Sequence, residues 1–493
     1  MHLPDLTTWQ LILVILDYVI KIIAVGWVPE NRRPSSSSAW LLLILLLPLI
    51  GLPLFLLMGS PYINSRRHRI QAEAVTMIDN LQQGAPDRPD DPLLDHDVDT
   101  IVHLNRHLTG FPAVYSDNCG LYTDYEQAIQ RLVAAVDEAQ HYIYIEVYIQ
   151  ALDKTTEPFY EALERAVARG VTVKLLFDQI GSLKYPRRLE LGRYLTSIGV
   201  QWHVMMPLRP WIGRFRRPDL RNHRKIVVID GRIGFLGSIN IIDRSYLVRK
   251  HTRHHRQWVD VLAEFTGPIV SSFEAVFAVD WYMESEESLS IAPLPSAENA
   301  GVRTSIVQMI PSGPGYSSEP NLRMFNSIIH HATDRLVICS PYFIPDESML
   351  EAVTSACYRG VDVELLVSEE ADQFGVHHAQ SSYYQALLEA GVRIYEFPRP
   401  YVLHTKFVIA DPLGTGTGSP IAAFGSSNLD MRSFGLNYES TLAVYSGNLI
   451  GQLYELGLVY KSVSRELTLE RWVGRPLLRR YVDNVMRLTS ALQ

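Results

Sequence analysis

Cysteine is scarce in this chain of 493 residues. Cys119, Cys339 and Cys357 stand at spacings that neither hold a metal nor make a disulfide framework, so buried thiols in a reducing, cytosolic setting are expected. An excess of positive charge is missing too. The formal net charge of −8 argues against a general nucleic-acid binder, because a phosphate backbone rewards a basic surface. His251, His254, His255, His377 and His378 have no carboxylate or cysteine companions at ligand spacing, so no metal site is expected. No basic residue precedes the first apolar segment and a second follows soon after, which argues against a cleaved signal peptide.

Long apolar runs are present at the amino terminus. Ala39 to Met58 is an uncharged, Leu-rich stretch, long enough at helical rise to cross about 30 Å of hydrocarbon. Leu11 to Val28 carries Asp17 and Lys21, whose i, i+4 spacing lets them pair along one helix face. If both segments span, residues 1–60 form a two-helix transmembrane hairpin with both ends on one side, and Pro48, Gly51 and Pro53 kink its second helix. Arg66, Arg67 and Arg69 after it outweigh Arg32 and Arg33 within it, which places the remainder in the cytoplasm by a small margin.

The remainder holds one pattern twice. His223, Lys225 and Asp230 recur as His404, Lys406 and Asp411, each set followed by Gly-Ser-x-Asn: Gly237, Ser238, Asn240, then Gly425, Ser426, Asn428. One His-x-Lys-x4-Asp should arise by chance at only on the order of one start position in 10,000. Both copies lie in β-branched, apolar stretches of strand length. Alternation then projects each His with its Lys, and turns Asp230 and Asp411 to the other face as architecture. The Gly-Ser-x-Asn segments offer close backbone approach, a hydroxyl and an amide, groups that suit phosphate oxygens. Two His, two Lys and two Asn brought together make a metal-free phosphoryl-transfer site: cations and amides hold the oxygens, one imidazole attacks phosphorus and the other moves the leaving group's proton.

On these motifs the chain resembles the phospholipase D superfamily, and over nearly its full length the bacterial cardiolipin synthases within it. Asn222-His223-Arg224-Lys225, the run Ser340 to Asp346, Asn428-Leu429-Asp430, Arg432-Ser433-Phe434 and Asn437-Tyr438-Glu439 are similar to that family's pattern. The resemblance implies a two-step phosphatidyl transfer. His223 attacks phosphatidylglycerol while His404 protonates the departing glycerol; His404 then activates a hydroxyl of a second phosphatidylglycerol, giving cardiolipin. His223, Lys225, Asp230, His404, Lys406 and Asp411 are the catalytic set, with Ser238, Asn240, Ser426 and Asn428 on the phosphate. It also implies that Asp260 and Glu439, each about 35 residues beyond a motif, orient the imidazoles. No cofactor is implied, and the partners are phospholipids and a bacterial cell membrane crossed more than once, not nucleic acid.

Duplication extends past the motifs. Arg169-Gly170-Val171 recurs as Arg359-Gly360-Val361 and Gly199-Val200 as Gly391-Val392, each between a helical and a strand-like stretch. The expected fold is therefore α/β, with two similar phospholipase D-type lobes whose mixed sheets are helix-covered, facing each other with the histidines between them. The expected division is a hairpin over 1–60, a linker over 61–110, a first lobe over 111–284, a linker over 285–301 and a second lobe with a C-terminal helix over 302–493.

The halves differ between motif Asp and Gly-Ser: Gly231 to Leu236 in the first, against the longer Pro412 to Phe424 in the second, which puts substrate contacts near that corner in question. Arg209, Arg214, Arg216, Arg217, Arg221 and Arg224 crowd beside the first motif with Trp211 and Phe215, as a solvated loop or a contact with anionic lipid. Leu467 to Leu492 mixes apolar residues with five arginines, as an amphipathic helix at the membrane or one packed on the second lobe. Alternatives to the transferase are a membrane phospholipase D that gives the same intermediate to water, a nuclease of the superfamily, and a noncatalytic membrane scaffold. Nothing in the sequence sets the oligomeric state.

Overall fold

A computed structural model describes residues 7–30, 34–59, 76, 86–90, 96–185, 187–209, 214–215, 217–291, 304–316, 318–371 and 373–488. Most of both expected linkers lies outside these residues. Part of the first does not: His96–Thr109 is a helix whose Val98, Ile101 and Val102 are buried in the second lobe's core.

The two halves share one mixed sheet of 16 strands. At its centre Ala113–Tyr122 pairs antiparallel with Ser305–Ser312, and the strands on either side repeat in mirrored order. Outward on one side run Leu262–Thr266, Ile233–Gly237, Lys225–Ile229, Tyr142–Val147, Thr172–Asp178 and Gln201–Met205; on the other run Asn437–Val444, Ile421–Gly425, Phe407–Ala410, Arg335–Cys339, Asp362–Ser368 and Arg393–Phe397. Parallel pairing runs through Tyr142–Val147, Thr172–Asp178 and Gln201–Met205 in one half and Arg335–Cys339, Asp362–Ser368 and Arg393–Phe397 in the other, where helices cross over; the motif strands are antiparallel to their neighbours. The expected lobes are thus joined edge to edge.

Burial explains the layers. Helices Ile269–Ser285 and Asn448–Val463 cover one face and share a core containing Phe273, Phe277, Leu442 and Leu453 from both halves. On the opposite face each half has its own core, under Tyr125–Glu138 and Glu157–Ala168 in the first, and Pro320–His331 and Glu347–Tyr358 in the second. Capping fixes where such helices begin: Asp124 accepts from Gln127 N and Asp346 from Met349 N, both at 2.9 Å.

The amino-terminal hairpin takes a different form from the expected one. Thr8–Trp27 is a continuous helix of 20 residues with only Ala24 buried, its Asp17 and Lys21 paired at 2.7 Å, and it is the one described helix long and apolar enough to cross a membrane. The second segment is not a kinked span. Its helix Pro34–Leu46 stops at Leu47, and Pro48–Leu54, continued by a π turn to Gly59, folds back along it. Pro48 lacks the N–H that a continuous helix would use, which frees the chain to turn there. Trp40 and Phe55 stack edge-on at 5.7 Å, and a Cβ on Gly51 would lie 2.8 Å from the backbone of Ile44, so the two short helices touch along their length. Ala24 and Val28 of the first helix pack on Trp40, Ile44 and Phe55.

The thiols also depart from expectation. Cys339 is buried but Cys119 is exposed, in a central strand whose pairing slips between Asn118 and Gly120.

Candidate active site

Each histidine sits where its half meets the other. Arg221–Asn222 runs parallel to Asn437–Tyr438, and His223 N donates to Tyr438 O at 2.8 Å. Gln257–Val259 runs parallel to Tyr401–Leu403 in the mirrored way, and His404 N donates to Val259 O, also at 2.8 Å. These short ladders carry the next residue of each partner strand to the imidazole. His223 Nδ1 lies 3.0 Å from both carboxylate oxygens of Glu439, and His404 Nδ1 lies 2.6 Å from Asp260 Oδ1. Each histidine is therefore held by a carboxylate of the opposite half, a crossing that sequence order hides. The rings stand nearly perpendicular, 6.3 Å between centroids, on a cavity of about 380 Å³ also lined by Asn240, Asn428, Tyr148 and Arg432.

Both lysines lie beneath the rings. Lys225 Nζ donates to His223 O at 2.6 Å and Lys406 Nζ to His404 O, and both side chains are buried. Loss of water pushes the Lys225 ammonium down to about 7, with Lys406's charge adding to the effect, and Lys406 down to about 8. Burial also raises Glu439 to about 7, against the pull of Lys225. Asp260 behaves differently: burial would raise it, yet His404 and Lys406 together hold it below the ordinary carboxylate range. His223 is driven well below its usual value by burial and then by both lysines; His404 is lowered by burial and Lys406, with Asp260 opposing.

The other motif residues divide. Asn240 and Asn428 face the cavity. Asn240 is already engaged, accepting from Ile149 N at 3.1 Å and donating to Tyr246 Oη at 2.7 Å, whereas the buried Oδ1 of Asn428 has no partner. The hydroxyls of Ser238 and Ser426, expected on the phosphate, are engaged with the carboxylate strands. Ser238 Oγ accepts from Val261 N at 3.0 Å, and Ser426 Oγ donates to Glu439 at 2.5 Å while accepting from Ser440 N. The preceding glycines serve the same junction: a Cβ on Gly237 or Gly425 would sit 2.2 Å from Val261 O or Ser440 O. Close approach there is to the carboxylate strand rather than to a ligand.

Asp230 and Asp411, grouped with the catalytic set, take the architectural place that strand alternation assigns them. Both have positive φ, at 52° and 49°, and turn their carboxylates to the far end of the strand. Asp230 accepts from Gln140 N, His141 N and Tyr142 N at 2.8 Å; Asp411 accepts from the N–H groups of Thr333, Asp334 and Arg335 at 2.8 to 2.9 Å. They fasten the motif strand to the start of its neighbour. The longer loop of the second half lies at that same remote end, with Gly418 N on Thr333 Oγ1 and Ser419 on Asp97, so it leaves the cavity untouched.

The basic stretch resolves in part. Arg217 pairs with Asp219, Arg221 with Asp178 at 3.1 Å and Arg224 with Asp280, so these three are neutralised within the protein. Arg216 and Trp211 lie outside the described residues, and so do the side chains of Arg209, Arg214 and Phe215. Sequence reasoning missed Tyr148, whose ring meets His223 edge-on at 5.1 Å with Lys225 Nζ 5.6 Å from its centroid. Tyr148 lies just past the strand Tyr142–Val147 and Tyr342 just past its counterpart Arg335–Cys339, and both line the cavity.

A duplicated α/β sheet with a His-x-Lys pair meeting at its seam is the arrangement of the phospholipase D-like proteins. The family described as "Cardiolipin synthase, PLD-like domain" matches residues 132–281 and 325–456. The cardiolipin synthase of Alkalihalophilus pseudofirmus is 30% identical over 99% of this chain and 95% of its own, and cardiolipin synthase A of Wigglesworthia glossinidia brevipalpis 29% over 94% and 92%. Among solved structures, phosphatidylserine synthase of Haemophilus influenzae Rd KW20 superposes with a TM-score of 0.58 at 14% identity, covering 80% of this chain and all of that one, which establishes the shared fold. The chain belongs to the cardiolipin synthase family of phospholipase D-like proteins.

Proposed function

We propose that the protein synthesises cardiolipin by moving a phosphatidyl group from one phosphatidylglycerol to another, with the halves 111–284 and 302–493 each giving one histidine to a single site. The observation that carries the roles is the unequal carboxylates. Burial and then both lysines hold His223 well below its usual value, and Glu439 beside it is raised to about 7, so His223 is the neutral imidazole, the form that attacks phosphorus through Nε2. Asp260 stays ionised and supports a charged His404, the form that gives a proton to departing glycerol. Before substrate binds, the lysines oppose that proton; a phosphodiester anion entering beside them offsets their charge and restores it.

The P–O bond to glycerol breaks as the P–N bond to His223 forms. A hydroxyl of the second phosphatidylglycerol then attacks, its proton passes to His404, and cardiolipin leaves with His223 regenerated. Lys225, Lys406 and Asn428 stabilise the phosphate oxygens. Tyr148 fixes the His223 ring. One phosphodiester replaces another, so no energy source is needed.

Thr8–Trp27 anchors the protein in the cell membrane. At helical rise Pro34–Leu46 and Pro48–Gly59 each reach only about 20 Å, short of the 30 Å core, so the folded-back pair enters and leaves on one side. Arg32, Arg33, Arg66, Arg67 and Arg69 then share that side, and the positive-inside rule puts them and the catalytic halves in the cytoplasm with residue 7 outside. Membrane-impermeant labelling of Thr7→Cys in intact cells should succeed; labelling only after permeabilisation would restore two full spans.

The test of function is purified protein in phosphatidylglycerol liposomes, with lipids and glycerol quantified. Cardiolipin and glycerol in equal amounts are expected, absent in His223→Ala and His404→Ala. Phosphatidic acid in place of cardiolipin would make the protein a hydrolase.

A further inference from the structure

The C-terminal helix Leu477–Arg487 is packed with its apolar face outward. Its one acidic residue, Asp483, is buried, accepting from His378 Nδ1 at 2.6 Å and paired with Arg475. Leu477, Leu478 and Tyr481 are 78%, 75% and 68% exposed, and Leu488 just beyond is 70% exposed. Residues 477, 481 and 488, or 478 and 481, are separated by whole helical turns, so these side chains form a stripe opposite Asp483. An amphipathic helix in a soluble protein turns that stripe inward. Here polar contacts hold the helix on Phe374–Ser381 and leave the leucines to solvent.

We propose that this stripe is a second membrane contact, dipping into the anionic leaflet beside the active site. Three observations favour a lipid surface over a protein partner. Arg479, Arg480 and Arg487 flank the stripe, and no carboxylate on the helix faces outward, in a chain whose overall charge is −8. That local sign matches the anionic lipid of the proposed reaction, on which this inference rests. The supporting helix extends the patch with Phe374, itself 67% exposed. Its neighbours Gln373 and Val376 line the cavity that holds both histidines. A leaflet touching Leu478 and Phe374 would therefore meet the cavity mouth, so that a headgroup could enter while its acyl chains stay in lipid.

The test uses the full chain, with Cys119→Ser and Cys357→Ser, in phosphatidylglycerol-containing vesicles. A spin label on Leu478→Cys is compared with one on Glu161→Cys, exposed on the helix Glu157–Ala168 of the first half, each read for access to oxygen and to an aqueous nickel complex. Label 478 should be shielded from nickel and open to oxygen, and label 161 the reverse. Equal nickel access at both positions would overturn the proposal. So would shielding from both reagents with dipolar coupling between labels, the sign of a second copy on the stripe. Neither readout needs turnover, so failure of the cardiolipin reading would be seen separately. In the unlabelled chain, Leu477→Ser with Leu478→Ser and Tyr481→Ser should lower activity on vesicles on the order of tenfold while short-chain, monomeric phosphatidylglycerol is used as before. An equal loss on both substrates would also count against it.

Discussion

The two halves place their motifs alike and support them by different chemistry. Behind His223, Arg224 reaches across the seam to Glu439 O at 3.2 Å, and its charge is met by the buried Asp280, with the buried Glu146 close by. Behind His404 the equivalent residue is Thr405, which reaches Val259 O at 3.3 Å and Tyr460 Oη at 3.0 Å. Cys339 stands where the first half has Glu146, each opposite the residue after its motif lysine. One half thus ties the seam with a buried ion cluster and the other with neutral hydroxyls and a thiol. Burial and then the neighbouring Asp280 hold Glu146 well above the ordinary carboxylate range. Duplication preserved the backbone frame; the layer beneath it, with Glu439 on one imidazole and Asp260 on the other, makes the histidines unequal.

The hardest way to break the comparison is to remove either histidine. His223→Ala and His404→Ala should each cost about 10⁴ or more in phosphatidyl transfer. They should part on a phosphodiester with a p-nitrophenolate leaving group, which departs without a proton: His404→Ala still releases p-nitrophenol and traps the phosphoryl group on the protein, and His223→Ala does neither. The reverse pattern in a quenched assay would exchange the two roles.

The seam should break unequally as well. Arg224→Met leaves Asp280 buried without its cation and should destabilise the protein by about 3 to 5 kcal/mol, whereas Thr405→Val removes neutral hydrogen bonds worth about 1 kcal/mol. Comparable shifts in chemical denaturation would mean that the two ties are equivalent.

Carboxylate replacements sharpen the point through pH. Glu439 has its pKa near 7, so below that value the acid is already uncharged and Glu439→Gln should cost little. As pH rises through 7 the wild-type residue ionises and the mutant cannot, so the loss should grow, to about tenfold. Asp260, held low, is charged throughout, so Asp260→Asn should lose about 100-fold or more with no such trend between pH 6 and 8.

A smaller effect concerns the lysines. In the free enzyme Lys225 near 7 and Lys406 near 8 lose their protons as pH rises, so kcat/KM should fall above about pH 8. A bound phosphate anion favours the charged ammonium, so kcat should hold to higher pH; parallel profiles would place the lysines away from the phosphate. Smallest of all, shortening the loop between Gly414 and Gly418 should leave kcat unchanged and cost about 1 kcal/mol of stability through the lost contacts to Thr333 and Asp97.

The sequence by itself determined the duplication, the apolar strand that begins just after each His, the outward turn of Asp230 and Asp411 and the apolar amino terminus, because these follow from local spacing and the period of a strand or helix. Only the tertiary structure decided which carboxylate serves which histidine, since the crossing of Glu439 to His223 and Asp260 to His404 depends on pairing across the seam. It also decided that Ser238 and Ser426 brace that seam, that Pro48 lets the second apolar run fold back on itself, and that the last helix buries its Asp483 and shows its leucines. In each case composition allows two placements, and the choice is made by contacts between residues far apart in the chain, where burial and hydrogen bonding outweigh local preference.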